Sequence, residues 1–218
     1  MRGFRGVREA HYLVWRWRKG FFDLNKLMGF YELKDINIPT VPWERYSREV
    51  TLDSNMLWTI RVAVKNGDDL NLPRAVGVTA EEAAAKGSSL LEKYEDSGMV
   101  IYYPYFIADK SGVIDIKSSR TVIEAVDKDL WNLVTHGRKN ITLVLENGVT
   151  EYFGDQSFLS AEESNILLDY VNRIKSYYRR PMSEGKSIIA EWSFAYNTDI
   201  DHKPLGEKYL VFYELRSI

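Results

Sequence analysis

Residues 187–218 constrain the fold most, because they read as two strands that are joined by a polar loop. Successive side chains of a strand point to opposite faces of the sheet. In the first strand this alternation predicts that Glu191, Ser193 and Ala195 share one face. The other face then carries apolar and aromatic residues, namely Ala190, Trp192, Phe194 and Tyr196. The pattern therefore predicts a carboxylate within an aromatic strand.

The second strand, over residues 209–216, is predicted to carry an apolar face that ends in an acid and a base. Its even positions are Leu210, Phe212, Glu214 and Arg216, which we expect to lie on one face. A charged group on a packed face needs a partner, because desolvating an isolated charge is costly. We therefore expect charged partners near the end of this strand.

Two carboxylates, Glu191 and Glu214, together with Arg216 on neighbouring strands suit a site for Mg²⁺ and a nucleotide. Mg²⁺ takes one or two carboxylates with phosphate oxygens and waters, and an arginine offsets the charge of a transferred phosphoryl group. The alternative is that both glutamates are ion-paired residues on the exposed face of an edge hairpin.

Composition and charge are those of an ordinary globular protein with one large domain or two small lobes. The net charge of −2 does not indicate nucleic acid as a partner of the whole chain. Residues 1–30 are nevertheless basic, with seven basic and two acidic side chains. The aromatic residues of this basic start suit base stacking or a hydrophobic core, and we expect a core.

The sequence has no cysteine and no apolar run long enough for a membrane helix, so we expect a soluble, cytoplasmic protein without disulfides or a membrane partner.

Two short signals predict helix starts. Thr79 with Glu82, and Ser160 with Glu163, have the spacing of a capping box, in which side chains and backbone bond reciprocally. We expect an alanine-rich helix after the first pair. After the second pair we expect an amphipathic helix that Pro181 ends.

The segments AEW and LVFYELRSI near the end of the chain resemble the close of the nucleotide-binding domain of phosphoenolpyruvate synthase and pyruvate phosphate dikinase, an ATP-grasp domain. In that family an Ile-Glu-Trp strand precedes a Leu-Tyr-Ile-Leu-Gln-x-Arg-Pro strand. The family's Glu falls on Glu191, its Gln on Glu214 and its Arg on Arg216. The chain departs from the pattern at Glu214, which adds a negative charge, and at Ser217, where the family has proline.

Residues 57–64, LWTIRVAV, are predicted to form a strand that contains Arg61. With the following KNGDDLNLPRAVGV, this stretch resembles the family's Val-Arg-Ser-Ala run and its trailing Glu-Asp-Leu-Pro. The resemblance implies that Arg61 contacts nucleotide phosphates. The alternative is an arginine that faces solvent from an alternating strand.

Residues 99–116, MVIYYPYFIADKSGVIDI, are predicted to form a strand that ends at Pro104 and a further strand after a turn at Ser111 and Gly112. The stretch resembles the family's hinge, which lines the adenine of the nucleotide. The resemblance implies adenine contacts from three aromatic residues: Tyr103, Tyr105 and Phe106. The alternative is that these aromatic residues belong to a core strand.

The matches follow the family's order from about residue 57 to the end of the chain. They imply an α+β, ATP-grasp-like fold with two small α/β lobes, largely antiparallel sheets and a nucleotide cleft between the lobes. The expected division is a basic, aromatic N-terminal segment (1–56), a lid-like lobe up to the hinge (57–108), and a C-terminal lobe with the metal-site strands (109–218).

The resemblance implies ATP and Mg²⁺ as cofactors, with Glu191 and Glu214 as metal ligands and Arg61 and Arg216 as catalytic groups. If the chain is an enzyme, we expect an ATP-dependent phosphotransferase, of kinase or ligase type, that acts with a separate phosphoryl-acceptor protein. Two alternatives stay open: a non-catalytic nucleotide-binding or regulatory subunit, and a nucleic-acid or protein interaction module that uses the basic start.

Overall fold

The computed structural model describes residues 26–64 and 72–218. The basic, aromatic start up to residue 25 lies outside this part of the chain. So do residues 65–71, which directly follow the predicted Arg61 strand.

Five helices lie within the described residues: α1 (Lys26–Asp35), α2 (Ala80–Tyr94), α3 (Trp131–Val134), α4 (Ala161–Tyr177) and α5 (Arg179–Ser183). Both predicted capping boxes are confirmed, since Thr79 caps α2 with Glu82 and Ser160 caps α4 with Glu163. The prediction that Pro181 ends the second helix is wrong. The helix ends at Tyr177, and Pro181 lies inside the short α5, in its first turn, where a missing N–H costs nothing. No helix of the described residues is long and apolar enough to cross a membrane.

The first of two sheets has four antiparallel strands: β1 (Glu44–Arg45), β2 (Trp58–Val64), β3 (Arg74–Val78) and β4 (Gly98–Pro104). Their order across this small sheet is β1-β4-β2-β3. The predicted strand around Arg61 and the predicted end at Pro104 are confirmed by β2 and β4. Helix α2 packs on this sheet through residues such as Ala83 and Leu90.

The second sheet has six antiparallel strands: β5 (Phe106–Ile116), β6 (Arg120–Asp127), β7 (Ile141–Glu146), β8 (Val149–Gly154), β9 (Ile188–Thr198) and β10 (Pro204–Ser217). Their order across this large sheet is β10-β9-β5-β6-β7-β8. The α+β class with largely antiparallel sheets is thus confirmed.

The predicted turn at Ser111 and Gly112 is wrong, because β5 runs straight through both residues. Ser111 pairs with Ser193 of β9, and Gly112 pairs with Trp192. A side chain at Gly112 would overlap the ring of Trp192 and the carbonyl oxygen of Glu124. This glycine therefore serves close packing of neighbouring strands rather than a turn.

Two apolar cores flank the large sheet. The helix-side core lies between one face of the sheet and α4, and its members include Ile114, Leu167, Ile174, Trp192 and Phe212. The intersheet core lies between the two sheets and includes Ala63, Ile101, Ala195 and Val211, with Leu27 and Phe30 of α1. The alternation predicted for residues 190–195 is confirmed, since Trp192 belongs to the first core and Ala195 to the second.

Candidate functional site

The strand pair β9–β10 contains a bulge at the point where the charged residues begin. Phe212 lies opposite Trp192, but Glu214 lies opposite Glu191. Two residues of β10 therefore lie opposite a single residue of β9. The extra residue is Tyr213. A bulge of this kind reverses the alternation of the strand that contains it.

The bulge overturns the prediction that Leu210, Phe212, Glu214 and Arg216 share one face. Phe212 belongs to the helix-side core, Leu210 packs against it, and beyond the bulge Leu215 takes over this role opposite Ala190. Glu214 and Arg216 are thereby turned to the other face, toward the small sheet. The sequence carries a signal of this change, because the apolar positions shift from even to odd between 212 and 215.

Glu214 lies between two arginines that come from different sheets. One carboxylate oxygen, Oε2, lies 3.8 Å from Nη2 of Arg61 on β2. The other, Oε1, lies 3.5 Å from Nε of Arg216 on β10. Arg61 is 8% exposed and Glu214 is 6% exposed. The alternatives of a solvent-facing Arg61 and of an exposed surface Glu214 are therefore wrong.

Glu191 and Tyr103 complete the surroundings of Arg61. Arg61 is hydrogen-bonded to the hydroxyl group of Tyr103, and the charges of Glu214 and Glu191 act on it. Burial by itself lowers the pKa of the Arg61 guanidinium, but these three neighbours more than offset burial and raise the pKa above its ordinary value. Arg61 therefore stays charged in a site that excludes most water.

Tyr213, the bulge residue, lies beside the same carboxylates. Burial, followed by the negative charge of Glu191, raises the pKa of Tyr213 well above its ordinary value, so this phenol stays protonated. Its hydroxyl oxygen lies 3.4 Å from Oγ of Ser193 and 3.4 Å from the carbonyl oxygen of Trp192. Ser193 in turn lies 2.8 Å from Ser111. A chain of hydroxyl groups thus runs from the site into the large sheet.

Helix α1 covers the site from the side. The ring of Phe30 lies 5.4 Å from the guanidinium carbon of Arg61, within the range of a cation–π contact. Next to it, a side chain at Gly29 would overlap the backbone of Leu215. The backbone of α1 therefore approaches β10 closely because position 29 has no side chain. The indole N–H of Trp43 donates to the carbonyl oxygen of Phe30 at 3.2 Å and holds the helix in place.

The three predicted adenine contacts separate into two groups. Tyr105 and Phe106 lie where the small sheet passes into the large one, with stacked rings 6.4 Å apart. Phe106 lies 5.8 Å from Tyr213, which places it at the margin of the charged cluster. Tyr103 is buried, and its hydroxyl is already engaged by Arg61.

The donor set suits Mg²⁺ only together with a phosphate ligand. Glu191 and Glu214 occupy directly opposite positions of an antiparallel pair, at which Cβ atoms are about 4.5–5.5 Å apart. Within the described residues, no group of three or more acidic, histidine or cysteine side chains could hold a metal ion. Two carboxylates match the usual protein share of a Mg²⁺–nucleotide site, since phosphates and waters supply the remaining ligands.

The sequence matches neither a protein-family model nor a curated protein, so the comparisons rest on structure. A dinucleotide-forming acetyl-coenzyme A synthetase from Ca. Korarchaeum cryptofilum matches with a TM-score of 0.59 at 10% identity, over 96% of this chain and 99% of that chain. The protein PH1788 from Pyrococcus horikoshii matches with a TM-score of 0.57 at 12% identity, over 97% of this chain and 96% of the other. The chain has an ATP-grasp-like fold.

A third ATP-grasp structure, a D-alanyl-alanine synthetase from Vibrio cholerae, matches with a TM-score of 0.51 at 9% identity. The match covers 89% of this chain and 55% of the synthetase. Identities this low establish a shared fold and nothing finer. They support the ATP-grasp part of the resemblance and do not single out the phosphoenolpyruvate synthase family.

Two members of the site escaped the sequence-based prediction. Phe30 lies on α1, which is remote in sequence from β2 and β10. No local sequence pattern predicts its contact with Arg61. Tyr213 is not among the predicted site residues, because strict alternation places positions 213 and 214 on opposite faces of the strand and the bulge interrupts this alternation. The apolar phase change after Phe212 could have indicated Tyr213, whereas nothing local could have indicated Phe30.

Proposed function

We propose that this chain binds Mg-ATP between its two sheets and serves as the nucleotide-binding part of an ATP-dependent phosphotransferase or ligase-type system. One observation carries the proposal above the others. Glu214, on the large sheet, is held between Arg61 of the small sheet and Arg216 of its own strand, with Glu191 directly opposite.

The charges of the cluster suit an exchange of partners. Glu191 and Glu214 would hold Mg²⁺, and the ion would supply charge neutralisation for the phosphates. Arg61 and Arg216 would then donate hydrogen bonds to phosphate oxygens. Without nucleotide, the two carboxylates and the two guanidinium groups of the cluster sum to zero charge. This compensation is required because an uncompensated buried charge is strongly destabilising.

The surroundings supply the other parts of a nucleotide site. Tyr105 and Phe106 offer stacked aromatic surface at the margin of the cluster for the adenine base. The segments 57–108 and 109–218 then act as the two sides of the cleft. The acetyl-coenzyme A synthetase that shares this fold was determined in complex with Ca-AMPCP, which supports this class of ligand. The resemblance of the last two strands to phosphoenolpyruvate synthase supports transfer to a separate acceptor protein.

A second candidate is a nucleotide-binding subunit without chemistry of its own. It is favoured by the burial of Arg61 and Glu214 under Phe30, since the charged groups satisfy one another and little of either reaches solvent. Both candidates share the ligand and differ in turnover.

Calorimetric titration with Mg-ATP, and with ATP in the presence of a chelator, tests the shared ligand. Arg61→Ala is the informative variant, and Arg48→Ala is its control because Arg48 forms an exposed ion pair with Glu92. We expect Mg-dependent binding that Arg61→Ala weakens and Arg48→Ala leaves unchanged. No heat and no thermal stabilisation at millimolar Mg-ATP would remove the proposal. Phosphate release, measured with and without candidate acceptor proteins, separates the enzyme from the subunit without chemistry.

A further inference from the structure

A second polar pocket lies on the opposite side of the large sheet from the cluster around Glu214. Its volume is about 300 Å³. The pocket opens between the turn that joins β5 to β6 and the C-terminal end of α4. It is lined by Ser118, Asn172, Lys175, Ser176, Arg179 and Met182. Met182 belongs to the helix-side core, so the thickness of the sheet separates this pocket from Glu191 and Glu214.

The pocket presents hydrogen-bond donors and no carboxylate. Its lining holds two cations, Lys175 and Arg179, two hydroxyl groups, and the carboxamide of Asn172. Neither cation has a carboxylate or another hydrogen-bond partner within the part of the chain that the structure describes. Other partly buried lysines of this protein are neutralised, as Lys110 and Lys208 are by Glu163.

Helical spacing brings these donors together. Asn172, Lys175 and Ser176 are separated by three and four residues, so they lie on one face of α4. Arg179 follows three residues after Ser176, at the start of α5. Ser118 approaches them from the turn after β5. The lining is therefore assembled from two separate parts of the chain. It forms an open groove, because Ser118, Asn172, Ser176 and Arg179 are exposed, Lys175 is partly buried and only Met182 is buried.

We propose that this pocket binds a small ligand through a phosphate group. A phosphate monoester offers three acceptor oxygens and about two negative charges, which match two cations and two hydroxyl donors. The pocket is at the lower end of the range of small-molecule sites, about 300–1,000 Å³.

The state of Lys175 agrees with this assignment. Burial lowers the pKa of Lys175, and no nearby carboxylate offsets the effect. A bound phosphate would stabilise the ammonium form and restore the pKa. The protein as folded thus holds a partly buried cation that lacks a counter-ion, and a phosphate ligand supplies one.

Calorimetric titration of the full chain with inorganic phosphate, at constant ionic strength, tests the proposal. We expect saturable binding of one phosphate per chain, with acetate giving no comparable heat. Lys175→Gln and Arg179→Gln should each weaken phosphate binding by at least about tenfold. Lys93→Gln on α2 and Arg138→Gln are the matched controls, and both should bind phosphate as the unchanged protein does.

Three results would overturn the assignment. The first is absence of saturable phosphate binding by the unchanged protein, a measurement that needs no variant to fold. The second is equal weakening by the control variants, which would indicate general charge attraction. The third is loss of phosphate binding in an Arg61→Ala variant that circular dichroism shows to be folded, with no loss in Lys175→Gln, which would place the phosphate in the intersheet site instead.

Discussion

The guanidinium of Arg61 and the carboxylate of Glu214 approach to 3.8 Å across the boundary between the two sheets. Arg61 lies on β2, which precedes the bend into the large sheet, and Glu214 lies on the last strand of the chain. Both side chains are almost completely buried. The pair therefore links the two sheets electrostatically and also lies at the centre of the proposed nucleotide site.

Replacing Arg61 by alanine should destabilise the protein strongly, because it leaves Glu214 buried with one of its two cations removed. Loss of one partner of a buried pair costs about 3–5 kcal/mol. Urea unfolding measures the change, and Arg48→Ala in an exposed pair should cost only about 0–1 kcal/mol. Similar costs for the two variants would mean that the Arg61 contact contributes little.

Glu191→Gln and Glu214→Gln should affect Mg-ATP binding unequally. Glu191→Gln removes a carboxylate ligand, so we expect most of the Mg²⁺ dependence of binding to be lost. Glu214→Gln introduces the residue that the phosphoenolpyruvate synthase family has at this position, so it should be tolerated far better. Calorimetry with and without Mg²⁺ measures both effects. If neither variant changes Mg-ATP binding, the two glutamates have only a structural role.

Gly29→Ala should destabilise the protein, although the same change in an exposed helix normally stabilises it by about 1 kcal/mol. The new methyl group would overlap the backbone of Leu215, so α1 must shift away from β10. Overpacking of this kind costs about 1–3 kcal/mol. A raised melting temperature in the variant would contradict the close approach of α1 and β10.

The hydrogen bond between Tyr178 and Glu32 predicts a pH dependence of stability. The Tyr178 hydroxyl donates to Glu32 Oε2 at 2.9 Å, and both residues are buried. Burial raises the pKa of Glu32 above 4.5, and the bond from Tyr178 only partly offsets this effect. Because the pKa of Glu32 is raised in the folded state, its contribution to the stability of the fold is complete below pH 4.5. This contribution is lost as the pH rises through the pKa that Glu32 has in the folded protein.

Glu32→Gln stays neutral and still accepts from Tyr178, so this loss should disappear. Urea unfolding at a series of pH values should show the variant gaining stability relative to the unchanged protein as the pH rises. Parallel curves would contradict a raised pKa at this position.

Glu163 should show the opposite pH dependence. Burial acts to raise its pKa, but hydrogen bonds from Lys110 at 2.7 Å and Lys208 at 2.9 Å, with the backbone of Ser160, lower it below 4.5. The stabilisation is therefore present above pH 4.5 and lost as the pH falls through the folded pKa. In Glu163→Gln the acid limb of a pH–stability curve should flatten, and Glu162→Gln on the same turn is the control. An unchanged acid limb would contradict the network.

Local sequence was sufficient to predict those structural features whose interactions form between a few neighbouring residues. The capping boxes of Ser160 and Thr79 each close within four residues, so the helix starts could be predicted from spacing alone. The strand around Arg61 and the alternation up to Ala195 were predictable for a similar reason, because a strand has only two faces.

The tertiary structure decided what depends on distant partners. Gly112 looks like a turn residue in sequence, but the ring of Trp192 requires it to be small within a strand. The bulge at Tyr213 arises because Phe212 and Leu215 must both reach the helix-side core, and this burial turns Glu214 toward Arg61. Residue types and spacing thus determined which groups carry charge. Burial of apolar side chains from remote segments determined which of those groups meet, since a strand's register is fixed by what its faces pack against.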